Sequence, residues 1–269
     1  MKSLSLGFSP CPNDTFMFDA MIHQKVDTEG LTFTTVMEDV ETLNKKSTSG
    51  ELDITKLSFF ALGNVVELYQ LLSVGSALGK GVGPILISKK KITDPEKDIK
   101  LVAIPGKNTT AYFLLKTFFP TLKNTKEMAF SEIENALIND EVDAGVIIHE
   151  NRFTYESKGL LKIADLGELW EKKTSLPIPL GGIAIKRSLP DEVKKQVERI
   201  LKRSIEFAFS HPESSDSYVK QHSQEMSPEV CKKHIELYVN DYSLNLGQKG
   251  RKAIGEMLGE KINENELFL

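Results

Sequence analysis

Over its first nine positions the chain alternates apolar Leu4, Leu6 and Phe8 with Ser3, Ser5 and Gly7, the period-two pattern of a strand with one buried face. Next comes Ser9-Pro10-Cys11-Pro12-Asn13-Asp14-Thr15-Phe16, in which two prolines fix φ and Asn13, Asp14 or Thr15 can cap a helix. Short apolar runs and amphipathic segments then alternate almost from end to end. That alternation predicts an α/β fold with a mostly parallel sheet. Strands are expected near 3–8, 31–37, 53–57, 71–75, 84–88, 99–104, 127–130, 143–148, 161–165 and 181–186, with helices over most intervals. The clearest helix is 191–209, where Val193, Val197, Ile200, Leu201, Ile205 and Ala208 recur at helical spacing among charged residues. Only helix is expected after it, including 228–239 and 248–261.

Two stretches break the pattern. Lys89 to Asp98 is charged and polar, and Thr174-Ser175-Leu176-Pro177-Ile178-Pro179-Leu180-Gly181-Gly182 is rich in proline and glycine. The block between them, about ninety residues, reads as an inserted α/β lobe. The expected architecture is therefore two-lobed, with a first lobe of 1–89 and 178–269, a second of 90–177, and a ligand cleft between them. No internal repeat or low-complexity tract interrupts it.

Composition narrows the partners. The 269 residues carry 34 basic and 38 acidic side chains, a formal charge of −4, with no basic block to track a phosphate backbone or an anionic bilayer. Neither nucleic acid nor a membrane is expected as a partner. No apolar run approaches the roughly 20 residues that span a bilayer. Cys11 and Cys231 form no CxxC pair, so neither a disulfide framework nor a zinc motif is indicated and a reducing compartment fits. The first strand starts too close to Met1 for a secretion leader, so the expected location is cytoplasmic. A small-molecule ligand is the expected partner; the oligomeric state stays open, a homodimer included.

In open α/β sheets ligands sit beyond the carboxyl ends of strands. Four stretches qualify. The opening turn offers Ser9, Asn13, Asp14 and Thr15; it is either a plain strand-to-helix turn or a substrate-facing loop whose helix N-terminus holds an anion. Thr55-Lys56-Leu57-Ser58-Phe59-Phe60 places an ammonium and hydroxyls beside two aromatic rings; its plain reading is a snorkelling lysine and a helix cap. In Pro105-Gly106-Lys107-Asn108-Thr109-Thr110-Ala111-Tyr112, two threonines open a helix; a cap accounts for one of them, and the pair would suit a carboxylate. Finally, Gly145-Val146-Ile147-Ile148-His149-Glu150 delivers a histidine at the end of an apolar strand. His23, His211, His222 and His234 lie in polar helical or loop contexts, so His149 is the candidate general base, although a lone histidine is more often structural.

Other chemistries lack their motifs. Gly79, Gly81 and Gly83 are not followed by the lysine and hydroxyl of a P-loop and read as a flexible crossing. No GxSxG or HExxH occurs. Glu38-Asp39-Val40-Glu41 is better read as an Asp39 cap with acids in the first turn than as a metal site. Cys11 reads as a small buried residue rather than a nucleophile.

Together the opening turn, Glu38-Asp39-Val40-Glu41-Thr42-Leu43-Asn44, Thr55-Lys56-Leu57-Ser58, Gly79-Lys80-Gly81-Val82-Gly83-Pro84, Pro105 to Leu115 and Ile147-Ile148-His149-Glu150 resemble, in order, the 1,4-dihydroxy-6-naphthoate synthases of the futalosine route to menaquinone. The resemblance covers nearly the whole chain. It implies a fold like that of type II periplasmic binding proteins. It further implies a lyase that fragments cyclic dehypoxanthine futalosine, a substrate bearing a carboxylate, without metal or organic cofactor. His149 would be the proton acceptor, and Lys56, Leu57, Ser58, Thr109 and Thr110 would bind substrate. Two alternatives stay open at this point: chorismate dehydratase of the same pathway, and a non-catalytic solute-binding protein for a small anion, because a shared fold does not fix function.

Overall fold

The computed structural model describes residues 2–223, 227–259 and 267–269. Its strands are β1 (Lys2–Phe8), β2 (Leu31–Met37), β3 (Ile54–Ser58), β4 (Tyr69–Leu71), β5 (Ala77–Gly79), β6 (Ile85–Ser88), β7 (Val102–Ile104), β8 (Thr125–Glu127), β9 (Ala144–Ile147), β10 (Leu161–Asp165) and β11 (Ile178–Lys186). The chain divides into two compact units, one of Met1–Gly79 with Pro179–Leu269 and one of Lys80–Ile178. Among the described residues, no helix is long and apolar enough to cross a membrane.

The first unit holds a sheet of order β2-β1-β3-β11-β4, with β5 pairing β11. β1 runs parallel to β2 and β3, while β11 is antiparallel to β3 and β4. The sheet is thus mixed rather than mostly parallel. The early βαβ units force parallel neighbours, but β11 arrives after the whole second unit, so no crossover helix dictates its direction. On one face the alternation of β1 buries Leu4, Leu6 and Phe8 with Phe16 and Met17 of the helix Pro12–Ile22 and with Val197, Ile200, Leu201 and Ile205 of the helix Asp191–Ser210. Full burial of side chains of this size stabilises by about 1.5–3 kcal/mol each. Ser204 locks the two helices together, its Oγ donating to Met17 O at 2.6 Å and accepting from Met21 N at 3.1 Å. The expected strand 71–75 is two short strands, β4 and β5. Gly75 between them sits at φ 77°, where a Cβ would come within 2.5 Å of Ile183 Cγ1.

The second unit holds a sheet of order β10-β6-β9-β7-β8, in which β7 is parallel to β8 and β9 and β6 is antiparallel to β9 and β10. Because β6 lies inside this sheet, the unit begins at Lys80 rather than at residue 90. The charged stretch 89–98 is a surface connection from β6 to β7, and its polarity records exposure rather than a crossing between lobes. Gly83 is likewise no flexible crossing: a Cβ there would stand 2.3 Å from Gly167 Cα, so it marks a close backbone approach. The expected strand 127–130 is instead β8 followed by the 3-10 turn Phe130–Glu132. The C-terminal helix runs Gly247–Leu258, and residues 260 and 261 of its expected span lie outside the described residues.

Candidate functional site

Each unit carries a cluster of the polar residues picked out above. In the first, the opening turn places Cys11, not a polar group, at the N-cap of the helix Pro12–Ile22, and its side chain makes no cap bond. Asp14, one turn in, reaches back instead. Ser9 donates to its Oδ2 from both N (3.2 Å) and Oγ (2.8 Å), and Asn13 Nδ2 donates to Oδ1 at 2.8 Å. Thr15 turns its hydroxyl back to the carbonyls of Cys11 and Pro12.

The Lys56 ammonium lies 3.0 Å from Asp14 Oδ1, and the two side chains are 8% and 1% exposed. Lys56 therefore does not snorkel. A charge buried this deeply persists only when it is paired. Ser58 shares the Lys56 face of β3 and is held by Asn44, which accepts from Ser58 N (3.0 Å) and donates to Ser58 Oγ (3.2 Å). The Ser58 hydroxyl makes no cap bond to the following helix. Leu57, on the opposite face, is core, as is Phe59, whose ring fills the space a Gly182 side chain would need; Phe60 is half-buried.

A residue that the sequence reading set aside completes this cluster. His234, on the helix Pro228–Tyr238, is fully buried, and its Nε2 stands 2.9 Å from Asn13 Oδ1. The signal lay in the helix face itself: Cys231, His234 and Tyr238 recur at i, i+3 and i+7 and are all buried.

In the second unit, the helix Thr110–Phe118 is capped by Thr109, whose Oγ1 accepts from Tyr112 N at 3.2 Å and donates to Gly106 O at 2.7 Å. The Thr109 hydroxyl proton is thus committed to its own turn. Thr110, buried at the first helical position, belongs to a first turn whose N–H groups have no acceptor within the helix.

His149 follows the buried strand β9 and is half-buried, its ring 4.9 Å from that of Phe130. Its φ is 57°, left-handed backbone that is uncommon outside glycine. Arg152 ties this turn down. Its N–H donates to His149 O at 3.3 Å, its Nη1 to Gly83 O at 2.6 Å and its Nη2 to Asp165 Oδ2 at 2.7 Å. Asp165 in turn caps the helix Leu166–Thr174 by accepting from Gly167 N and Glu168 N through Oδ1. Beside it, buried Glu134 accepts from Asn151 Nδ2 at 2.6 Å and from Lys158 Nζ at 2.5 Å. Asp39, read from sequence as a cap, does cap the helix Val40–Ser47, accepting from Glu41 N and Thr42 N.

This combination of sheets and helices is that of the periplasmic-binding-protein-like α/β folds. A Candida albicans protein described as having the generic periplasmic binding protein fold superposes with a TM-score of 0.71 at 12% identity, over 100% of this chain and 96% of that one. The chain belongs to the menaquinone biosynthesis family, whose model matches residues 4–260. It is 42% identical to the 1,4-dihydroxy-6-naphthoate synthase of Thermus thermophilus, over 97% of this chain and 94% of the relative. To the synthase of the same name from Streptomyces coelicolor it is 40% identical, over 95% and 92%. The crystal structure of an Archaeoglobus fulgidus protein is similar at a TM-score of 0.88 and 36% identity, covering 95% of both chains.

Proposed function

We propose that this chain is a carbon–carbon lyase that converts cyclic dehypoxanthine futalosine to 1,4-dihydroxy-6-naphthoate, with His149 as general base. The observation that carries the assignment of the base is the left-handed backbone at His149. Holding a non-glycine residue there costs on the order of 1–3 kcal/mol, and of the described non-glycine residues in that conformation, Gln24, Glu29, Asp140, His149 and Ser175, His149 is the one that follows a buried strand. The names of the relatives at 42% and 40% identity support the choice of reaction.

The substrate is a bicyclic acid, only one ring of which is aromatic, joined to a sugar-derived ring. In its neutral form His149 takes a proton from a hydroxyl of the sugar-derived ring, and that oxygen becomes a carbonyl of the leaving fragment as the carbon–carbon bond to the bicycle breaks in the sense of a retro-aldol reaction. The electron pair stays with the bicycle, which becomes aromatic as the fragment leaves. Aromatisation supplies driving force. General-base assistance contributes about 10²–10⁴-fold, and positioning accounts for much of the rest.

The acid group needs donors. In the first unit Lys56 offers a charge already oriented by Asp14 and Ser58 a hydroxyl on the same strand face; in the second, the helix start at Thr110 is a separate candidate donor set. Thr109 serves by capping that helix, and Leu57, a core residue of β3, serves by setting the strand that carries Lys56 and Ser58. Ser9, Asn13 and Asp14 hold the lysine rather than the ligand.

The test is incubation of chelator-treated protein with cyclic dehypoxanthine futalosine, with chorismate in parallel, following products by chromatography. Naphthoate from the first substrate alone is expected. Turnover of chorismate instead would reassign the chain to the dehydratase, and tight anion binding with neither reaction would make it a binding protein.

A further inference from the structure

A fully buried histidine on the helix Pro228–Tyr238 touches a residue from the opposite end of the chain, and hydrogen-bond chemistry fixes which atom carries the proton. An ionised carboxylate only accepts, so the Asn13 amide must turn its Nδ2 toward Asp14, at 2.8 Å. Its Oδ1 therefore faces His234 Nε2 at 2.9 Å. Two acceptors would repel at that distance, so His234 carries a hydrogen on Nε2 and donates it to Asn13. The Nε2-protonated neutral ring and the cation both satisfy this; the Nδ1-only tautomer does not.

The contacts form a line: His234 to Asn13, Asn13 to Asp14, Asp14 to Lys56. Exposures of 0%, 5%, 1% and 7% along it leave no solvent to substitute for a missing member. Ser9 occupies the other oxygen of Asp14, so the carboxylate has one orientation in which every donor is used. Rotation of the Asn13 amide would present an oxygen to Asp14 and break that arrangement. The carboxylate opposes that rotation from one side and the His234 N–H opposes it from the other, anchoring the amide oxygen.

We propose that His234 is a positioning residue. It fixes the Asn13 amide, through it the Asp14 carboxylate, and so the place of the Lys56 ammonium. The inference rests on the proposed role of Lys56 toward the substrate acid. Because an ammonium that binds a carboxylate not involved in bond breaking acts equally on ground and transition states, its misplacement raises KM and leaves kcat nearly unchanged.

The test uses the full chain in four forms: wild type, His234→Phe, His234→Gln and Lys56→Met. Steady-state kinetics are measured with cyclic dehypoxanthine futalosine, together with ring-nitrogen NMR of histidine-labelled wild type. Lys56→Met and His234→Phe are each expected to raise KM about ten-fold or more with kcat within about three-fold. His234→Gln, which restores an N–H donor, is expected to recover most of the loss, and the Nε2 resonance should be that of a protonated nitrogen. A rise in KM for Lys56→Met but not for His234→Phe would overturn this inference and leave the functional reading standing. An unchanged KM in Lys56→Met would overturn this inference together with the role given to Lys56. A His234 Nε2 without a proton would overturn the inference whatever the kinetics.

Discussion

Arg152 Nη2 lies 2.7 Å from Asp165 Oδ2, joining the turn that carries His149 to the cap of the next long helix, while Nη1 of the same guanidinium holds Gly83 O. Only a planar fork with several donors makes both contacts at once. Arg152→Lys keeps the charge and loses one of them. We expect its kcat to fall about ten-fold, with KM within about three-fold, because sub-ångström displacement of the base weakens the reacting geometry more than binding. Asp165→Asn should lower stability by about 2 kcal/mol in urea unfolding, since the Arg152 side chain is only 17% exposed and loses a charged partner.

Gly83 and Gly167 meet backbone to backbone. Gly83→Ala would place a Cβ 2.3 Å from Gly167 Cα, where nothing can swing aside. Its expected cost is about 3 kcal/mol. Gly81→Ala, where no atom lies within 4 Å but φ is 68°, should cost only about 1 kcal/mol. Urea midpoints of the two variants check the contrast.

Hydrogen bonds from Arg199 and then Arg203 hold the Glu29 carboxyl at about 2, below the ordinary 4.5. An acid whose folded-state pKa is depressed stabilises the fold above its unfolded value, and that stabilisation is lost as pH falls from 4.5 through about 2. Glu29→Gln should therefore show a flatter fall in its urea midpoint over that range than wild type. High salt should shrink the difference, because the arginines are partly exposed.

Much of this was legible in the chain. The alternation of Leu4, Leu6 and Phe8 and the helical spacing of Val197, Ile200, Leu201 and Ile205 report burial on one face, and burial is what periodicity encodes. Strand direction is not encoded in that way, so the antiparallel pairing of β11 with β3 was missed. The boundary was misplaced for a related reason, because a polar stretch reports solvent and not which sheet its neighbours join. At the candidate site, residue type and strand ends pointed to Lys56, Ser58, Thr110 and His149. The partners of those residues were hidden, since the contacts of Asp14 with Lys56 and of Asn13 with His234 join residues remote in sequence. His234 was set aside because lysines and glutamates surround it, although its buried neighbours at helical spacing mark an inward face.

The central claim concerns His149, and its backbone allows a test that separates chemistry from folding. Asparagine adopts left-handed backbone more readily than histidine, so His149→Asn should unfold at equal or higher urea concentration than wild type, by up to about 1 kcal/mol. The decisive measurement is kcat of that variant on cyclic dehypoxanthine futalosine beside its unfolding curve. A loss of about 10²–10⁴-fold in a protein at least as stable as wild type is the expected result. Full kcat in the stable variant would contradict the assignment of His149 as the base.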